Sequence, residues 1–265
     1  MLTLAIAGCT GRMGRALVEA VIGAPDLSLG GVLEQSGSVF LGRDPGDWLG
    51  SPLGLRITSD VSQALSGSSV LIDFTRPQAT LSHLEACVRH RRAIVIGTTG
   101  FAADEKAQIV DASRHIPIVF APNMSVGVTV VLALLEQAAR LLPTDYDVEI
   151  TEAHHRYKVD APSGTALRMG EVVAAQRGWN LADVAVYGRS GVTGARPPKT
   201  VGFATVRGGD VVGDHTVSFM AEGERVEITH KASSRATFAL GALRAARFVA
   251  QQAPGLFDMR AVLGL

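Results

Sequence analysis

The sequence predicts an α/β chain in two parts, a parallel sheet wrapped by helices and then an α+β region with a mixed sheet. Three observations carry this. Up to residue 125, short apolar runs alternate with helical patterns, and a polar or glycine-rich turn follows each run. The first such turn, GCTGRMG, places Gly8, Gly11 and Gly14 between an apolar run and an amphipathic stretch. From residue 202, three strand-like runs follow one another without the long crossover that parallel neighbours need.

Composition narrows the classes of function. The 265 residues suffice for one large domain or two modest ones, and 47% are hydrophobic. With 25 basic and 25 acidic residues, the chain lacks the basic field that nucleic acid or an anionic membrane requires. No apolar run reaches the roughly 18 residues of a membrane span. Cys9 and Cys87 make no disulfide framework, and the start, MLTLAIAG, lacks the cationic lead of a signal peptide. The expectation is a cytoplasmic protein. No metal-ligand spacing is present in the first half, and none is expected to serve the site.

The first half reads in order. Residues 2–7 form an apolar strand that stops at glycine, and a helix follows over 15–22 with Ala16, Leu17, Ala20 and Val21 on one face. Glycines between a strand and a helix are where a dinucleotide's pyrophosphate meets helix N-terminal N–H groups. A second strand over 27–33 ends at Glu34, twenty residues after Gly14, where an acid can accept hydrogen bonds from ribose hydroxyls. The spacing, G-x-x-G-x-x-G, departs from the usual dinucleotide pattern, so the neighbouring elements carry the assignment. Residues 35–55 read as a long loop with room for a short helix. Strands over 70–73, 93–96 and 118–120 alternate with helices over 79–90, 103–114 and 126–142. The turns at 8–14, 97–100 and 121–125 therefore share one sheet edge, where ligands bind in an open parallel sheet. Arg76 joins that edge either as a solvated arginine or as a cofactor contact. His83, His90 and His115 read as surface residues, and neither cysteine as a catalytic thiol.

After Pro143 the pattern changes. Residues 147–152 alternate Val148 and Ile150 with acids, as a half-exposed strand does, and a helix spans 165–176. Residues 177–199 read as a long loop. Strands over 202–207, 216–220 and 225–230 follow, and a last helix over 236–251 returns to the first domain. One face of the second sheet is left without helices, which suggests a subunit interface. The result is a Rossmann-like dinucleotide-binding domain from residues 1–125 and 235–265, and a substrate-binding domain from 126–234. A hinge pair near Ser125 and Arg235 would join them.

Between strand and helix lies EAHHRYKVDAPSGT, residues 152–165. His154 or His155 could exchange a proton near neutral pH, and Lys158 supplies a cation. Ser163 reads as an N-cap, which leaves Gly164 and Thr165 in the first turn of a helix where a carboxylate is favoured.

Together AGCTGRMGR, DFTRP, GTTGF, APNMSVGV, EAHHRYKVDAPSGTA, GFATVRGGDVVGDHTV and ITHKASSR resemble the bacterial dihydrodipicolinate reductases, also called 4-hydroxy-tetrahydrodipicolinate reductases, almost end to end. The resemblance implies a homotetramer that reduces (2S,4S)-4-hydroxy-2,3,4,5-tetrahydrodipicolinate, a small dicarboxylate, with NADH or NADPH and loss of water. It gives the pyrophosphate to Gly8, Cys9, Thr10, Gly11, Arg12 and Met13, and the adenosine ribose to Glu34. Gly97, Thr98, Thr99, Ala121, Pro122, Asn123 and Met124 fall to the nicotinamide half. It also implies His154 as proton donor and acceptor, Lys158 as second proton donor, and His155, Gly164 and Thr165 as carboxylate ligands.

Two departures stand out. Many members of the family carry an arginine after the strand-end acid, where this chain has Gln35, so a lean toward NADH is expected. Met124 replaces the phenylalanine of some relatives and keeps the apolar character. Rival readings fit less well: no tyrosine is followed four residues later by a lysine, as a short-chain dehydrogenase requires. A regulatory protein that only senses nicotinamide cofactor would have no use for the histidine and lysine stretch.

Overall fold

The computed structural model describes residues 1–265, which separate into two compact units, 1–126 with 235–265 and 127–234.

The first unit begins with β1 (Leu2–Ala7), α1 (Arg12–Ile22) and β2 (Leu27–Leu33). It continues with α2 (Val61–Ser66), β3 (Val70–Asp73), α3 (Pro77–His90), β4 (Ala93–Ile96), α4 (Ala103–Ala112) and β5 (Pro117–Phe120). A 3₁₀ turn, Pro45–Trp48, lies in the loop between β2 and α2, capped by the Asp44 side chain. The six-stranded sheet is entirely parallel, in the order β11-β5-β4-β3-β1-β2, where β11 is Gly255–Phe257 from the far end of the chain. Alternate residues feed opposite faces. Leu4, Ile6, Val70, Ile72, Val95 and Val119 pack with α1 and α8 (Ala236–Val249), while Ala5, Ala7, Leu71, Ile94, Ile96 and Ile118 pack on the other side. Both faces are dry, which is why these strands read as unbroken apolar runs.

The second unit is built on a mixed sheet, and its first helix, α5 (Val126–Leu141), begins at the boundary. Then come β6 (Asp147–His154), α6 (Gly164–Gln176), α7 (Leu181–Val184), β7 (Ala185–Tyr187), β8 (Val201–Arg207), β9 (Gly213–Ala221) and β10 (Glu224–Ala232). The sheet order is β10-β9-β6-β8-β7, with β6 parallel to β8 and antiparallel to β9. Val148, Ile150, Val217 and Phe219 point inward with Val201 and Phe203 onto Leu135, Met169 and Val173 of the helices. The opposite face has no helical cover, and much of β10 is exposed.

Five elements escape the sequence reading, the first of them α2 ahead of β3. Residues 177–199 contain α7 and β7, and β11 with α9 (Met259–Leu263) closes the chain. Both strands are three residues long, too short to show an alternation. His83 is also not a surface residue. Its imidazole Nδ1 lies 2.7 Å from the carboxylate of the fully buried Asp73, because α3 packs that face over the end of β3.

Candidate active site

The first unit presents the glycine turn between β1 and α1. Gly8 has φ +65°, a conformation that side chains with a Cβ rarely adopt. A Cβ on Gly14 would stand 2.1 Å from the Gly8 carbonyl oxygen and 2.6 Å from Cys9 Cα, so the helix can approach the turn only because residue 14 is glycine. Cys9 is fully buried and its thiol is pushed up to about 12, first by burial and then by the Glu34 charge, so it is no nucleophile. Arg12 and Gly11 are exposed, and Thr10 and Met13 are partly buried. The Glu34 carboxylate accepts the Thr10 hydroxyl at 2.5 Å, the Thr10 N–H at 3.3 Å and the Gln35 N–H at 3.0 Å. The acid at the end of β2 is thus tied to the glycine turn, with Gln35 exposed beside it.

The other two turns follow β4 and β5 on the same sheet edge, on the far side of β3 from β1. The strand order reverses between β1 and β3, and the carboxyl ends of the strands around such a switch point are the usual dinucleotide crevice. Gly97 is partly buried, Thr98 is buried with its hydroxyl 2.8 Å from that of Thr80, and Thr99 is exposed. Ala121 and Met124 are buried, Pro122 is exposed, and the partly buried Asn123 accepts the Ser125 N–H with its side chain. The Met124 side chain belongs to the core, packed with the residues of α1 and α8. Arg76 is exposed at the N-cap of α3.

In the second unit the inward row of β6 changes character along its length. Val148 and Ile150 are core residues, but the next two inward positions are Glu152 and His154, 1% and 8% exposed. The same happens on β9, where Phe219 and Val217 lead to His215, paired across the ladder with Glu152. The polar groups therefore sit at the end of an apolar face, where the sheet runs out of cover.

Glu152 is the hub of this cluster. One carboxylate oxygen accepts from Arg207 Nη1 and contacts His154 Nδ1, at 2.7 and 2.6 Å. The other accepts from Arg207 Nη2 at 2.7 Å, the Ser163 N–H at 3.0 Å and the Thr205 hydroxyl at 3.4 Å. Burial would raise its pKa, but Arg207, His154 and the Ser163 N–H outweigh that and hold it at about 2. Burial lowers His154 below its ordinary value; Glu152 opposes this, while Lys158 and Arg207 add to it.

Ser163 caps α6 through its hydroxyl, which accepts the Ala166 N–H at 3.2 Å. The same hydroxyl lies 2.9 Å from His215 Nε2. His215 is depressed to about 4, mainly by burial and then by the adjacent His154, whose ring centroid is 5.0 Å away. Gly164, at the first position of α6, is exposed, and Thr165 is partly buried. His155 lies just past the strand with its N–H bonded to the Val211 carbonyl, and its Nδ1 is buried without a protein partner. Lys158 pairs with Asp160 at 2.7 Å, so its ammonium is held beside the cluster by a half-exposed acid.

Sequence reasoning did not single out Glu152, Arg207 or His215. Glu152 carries a legible signal, since it shares the buried phase of β6 with Val148 and Ile150. Arg207 and His215 have none, because only the β6–β8 and β6–β9 pairings bring them to it. No group of three or more His, Cys, Asp or Glu side chains is arranged to hold a metal ion.

A parallel sheet with a glycine turn at its reversal point and an acid ending the next strand, in a chain whose second unit gathers titratable groups at a helix start, defines a nicotinamide-dinucleotide-dependent oxidoreductase. Comparison with known proteins narrows the class. Residues 2–124 match the model of the dihydrodipicolinate reductase N-terminus, and residues 127–263 match that of the C-terminus. The chain belongs to the dihydrodipicolinate reductase family. It is 62% identical over 264 residues to the 4-hydroxy-tetrahydrodipicolinate reductase of Nitrosospira multiformis, covering 100% of this chain and 98% of that protein. Its identity to the enzyme of that name from Nitrosomonas eutropha is 61% over 265 residues, covering 100% and 99%. Among solved structures, a dipicolinate-bound dihydrodipicolinate reductase from Paenisporosarcina sp. TG-14 shares the fold, with TM-score 0.78 over 97% of both chains at 23% identity.

Proposed function

We propose that the chain reduces (2S,4S)-4-hydroxy-2,3,4,5-tetrahydrodipicolinate to (S)-2,3,4,5-tetrahydrodipicolinate with loss of water, in diaminopimelate and lysine biosynthesis. Family membership along the whole chain supports the reaction. The balance is one substrate, one NADH or NADPH and one proton in, and one product, one oxidised cofactor and one water out. The reduced nicotinamide supplies the hydride. This chain's side chains supply the protons and hold the carboxylates.

The fit of a dinucleotide rests on the close packing of Gly14 against the first turn and on the Glu34 carboxylate tied to Thr10. Gly8, Cys9, Thr10, Gly11, Arg12 and Met13 would take the pyrophosphate, with buried Cys9 shaping the turn and offering no side chain. Glu34 would take the adenosine ribose. Gly97, Thr98, Thr99, Ala121, Pro122, Asn123 and Met124 would line the nicotinamide half, Met124 from the core. Gln35 puts no cation beside Glu34, and an unopposed carboxylate repels a 2′-phosphate. NADH is therefore the favoured cofactor in this reading.

In the second unit, His154 exchanges a proton at Nε2 and Lys158 supplies the second. His155, Gly164 and Thr165 hold the substrate carboxylates, favoured by the positive end of α6. The observation that carries this reading is the single carboxylate of Glu152, bonded both to His154 and to the backbone of Ser163. It ties the proton-exchanging ring to the helix start that would bind an anion. The uncovered sheet face supports a homotetramer, and similarity to enzymes of a biosynthetic pathway supports a cytoplasmic enzyme; no helix is long and apolar enough to cross a membrane.

The test is NADH oxidation with freshly generated substrate. His154→Ala and Lys158→Ala are each expected to lower kcat by about 10²–10³-fold while the Kd for NADH stays unchanged. Near-normal kcat in either variant removes that residue from proton transfer.

A further inference from the structure

We infer that Glu152, held by Arg207, is a positioning residue that fixes the tautomer of His154 and so keeps its Nε2 available for proton exchange. The inference rests on the reading of His154 as the proton donor and acceptor.

The argument begins with hydrogen-bond inventory. An ionised carboxylate only accepts. With Glu152 ionised, the 2.6 Å contact requires His154 Nδ1 to carry the hydrogen. The neutral ring then has its lone pair on Nε2, and a proton gained or lost by the ring is gained or lost there. Nε2 lies near Gly213, where a Cβ would stand 3.0 Å from it, so that position has no side chain to cover the nitrogen. Glu152 cannot turn away from this task. Arg207 grips both oxygens, and the Ser163 N–H fixes the oxygen remote from His154.

Glu152→Gln reverses the tautomer in this arrangement. The oxygen remote from His154 faces three donors, from Arg207, Ser163 and Thr205. The other faces Arg207 and His154 alone. A glutamine therefore places its carbonyl on the donor-rich side and its amide NH₂ toward His154. Nδ1 must then accept, which moves the ring hydrogen to Nε2 and removes the lone pair that would take up a proton. The Ser-His-Asp hydrolases show the same consequence when their aspartate becomes asparagine.

The charged and titratable groups facing His154 are Glu152 on its own strand, Lys158 on the following loop, Arg207 at the end of β8 and His215 on β9. Glu152 alone favours the protonated ring. Its loss should move the alkaline limb of the kcat profile to lower pH, whereas the loss of Arg207 should move that limb to higher pH.

The experiment uses the full chain labelled with ¹⁵N-histidine. Imidazole ¹⁵N shifts of wild type, His154→Gln, Glu152→Gln and Arg207→Gln are recorded beside kcat against pH. The difference spectrum from His154→Gln assigns the His154 signals. The expected result is an Nδ1–H ring in wild type and an Nε2–H ring in Glu152→Gln, with kcat lowered about 10²-fold or more. A Glu152→Gln protein that keeps the Nδ1–H form and an unmoved alkaline limb overturns the inference. If Glu152→Gln does not fold, Arg207→Gln decides: an upward shift of the limb supports the inference and an unmoved limb overturns it. A fully active His154→Gln would instead defeat the proton-donor reading, an outcome the tautomer measurement keeps separate.

Discussion

Ser163→Ala should weaken the second unit by an amount that the local geometry sets. The Ser163 hydroxyl accepts the Ala166 N–H at 3.2 Å and lies 2.9 Å from His215 Nε2, with both side chains buried. Loss of an N-cap costs about 1 kcal/mol. Loss of the His215 contact strands a buried imidazole nitrogen, roughly 1–3 kcal/mol, on a ring whose Nδ1 already has no protein partner. The total is about 2–4 kcal/mol. The chain has one tryptophan in each unit, Trp48 in the first and Trp179 in the second. In a Trp48→Phe background, indole fluorescence therefore reports urea unfolding of the second unit alone. At about 2 kcal/mol per molar urea, the midpoint should fall by roughly 1–2 M. Ser163→Gly separates the two contributions, because glycine caps a helix within a few tenths of a kcal/mol of serine but offers His215 nothing. A midpoint that moves by less than about 0.3 M in Ser163→Ala would refute the assignment of both bonds.

The remaining predictions concern pH, the glycine turn and the cofactor. His215 is held to about 4 in the folded protein, while an unfolded histidine titrates near 6.5. Between those values the unfolded chain binds more protons, so stability is lost as pH falls through this window, by up to roughly 3 kcal/mol. His215→Asn should flatten the dependence of urea midpoint on pH between about 4 and 6.5, and an unchanged slope would count against a neutral buried ring. Gly14→Ala forces a methyl into the Gly8–Cys9 backbone and should raise the NADH Kd by about tenfold or more, read by fluorescence titration. An unaltered Kd would show that the turn tolerates displacement. Wild type should give a higher kcat/KM with NADH than with NADPH, and Gln35→Arg should raise the NADPH value; a wild-type preference for NADPH would refute the role given to the Glu34 charge.

Much of the first unit was legible because local rules and tertiary structure agree there. Its strands are dry on both faces, so they appear as apolar runs, and each helix follows a turn that must expose backbone at one sheet edge. The second unit was legible where strands are long, in β6, β8, β9 and β10, and where Ser163 announces a helix. It was not legible where information comes from pairing. His215 and Arg207 look like ordinary polar positions until β9 and β8 lie on either side of β6. His83 was misread for the same reason: nothing local marks its partner Asp73, a fully buried acid at the end of β3. The histidine stretch was conspicuous, but the acid that organises it passed for one more charge on a half-exposed strand.

That acid also argues for the site on energetic grounds. Burying Glu152 at 1% exposure takes a carboxylate out of water, and the pair with Arg207 recovers this only because several hydrogen bonds accompany it. An apolar pair of similar volume would continue the row of Val148 and Ile150, and such replacements are often neutral or stabilising. Stability therefore does not require an ion pair at this end of the sheet. What the pair does provide is a fixed acceptor for His154 Nδ1 and for the backbone that starts α6. A buried charge that stability does not need, bonded at once to a titratable ring and to a helix start, is better accounted for by the chemistry of those two groups than by the packing around them.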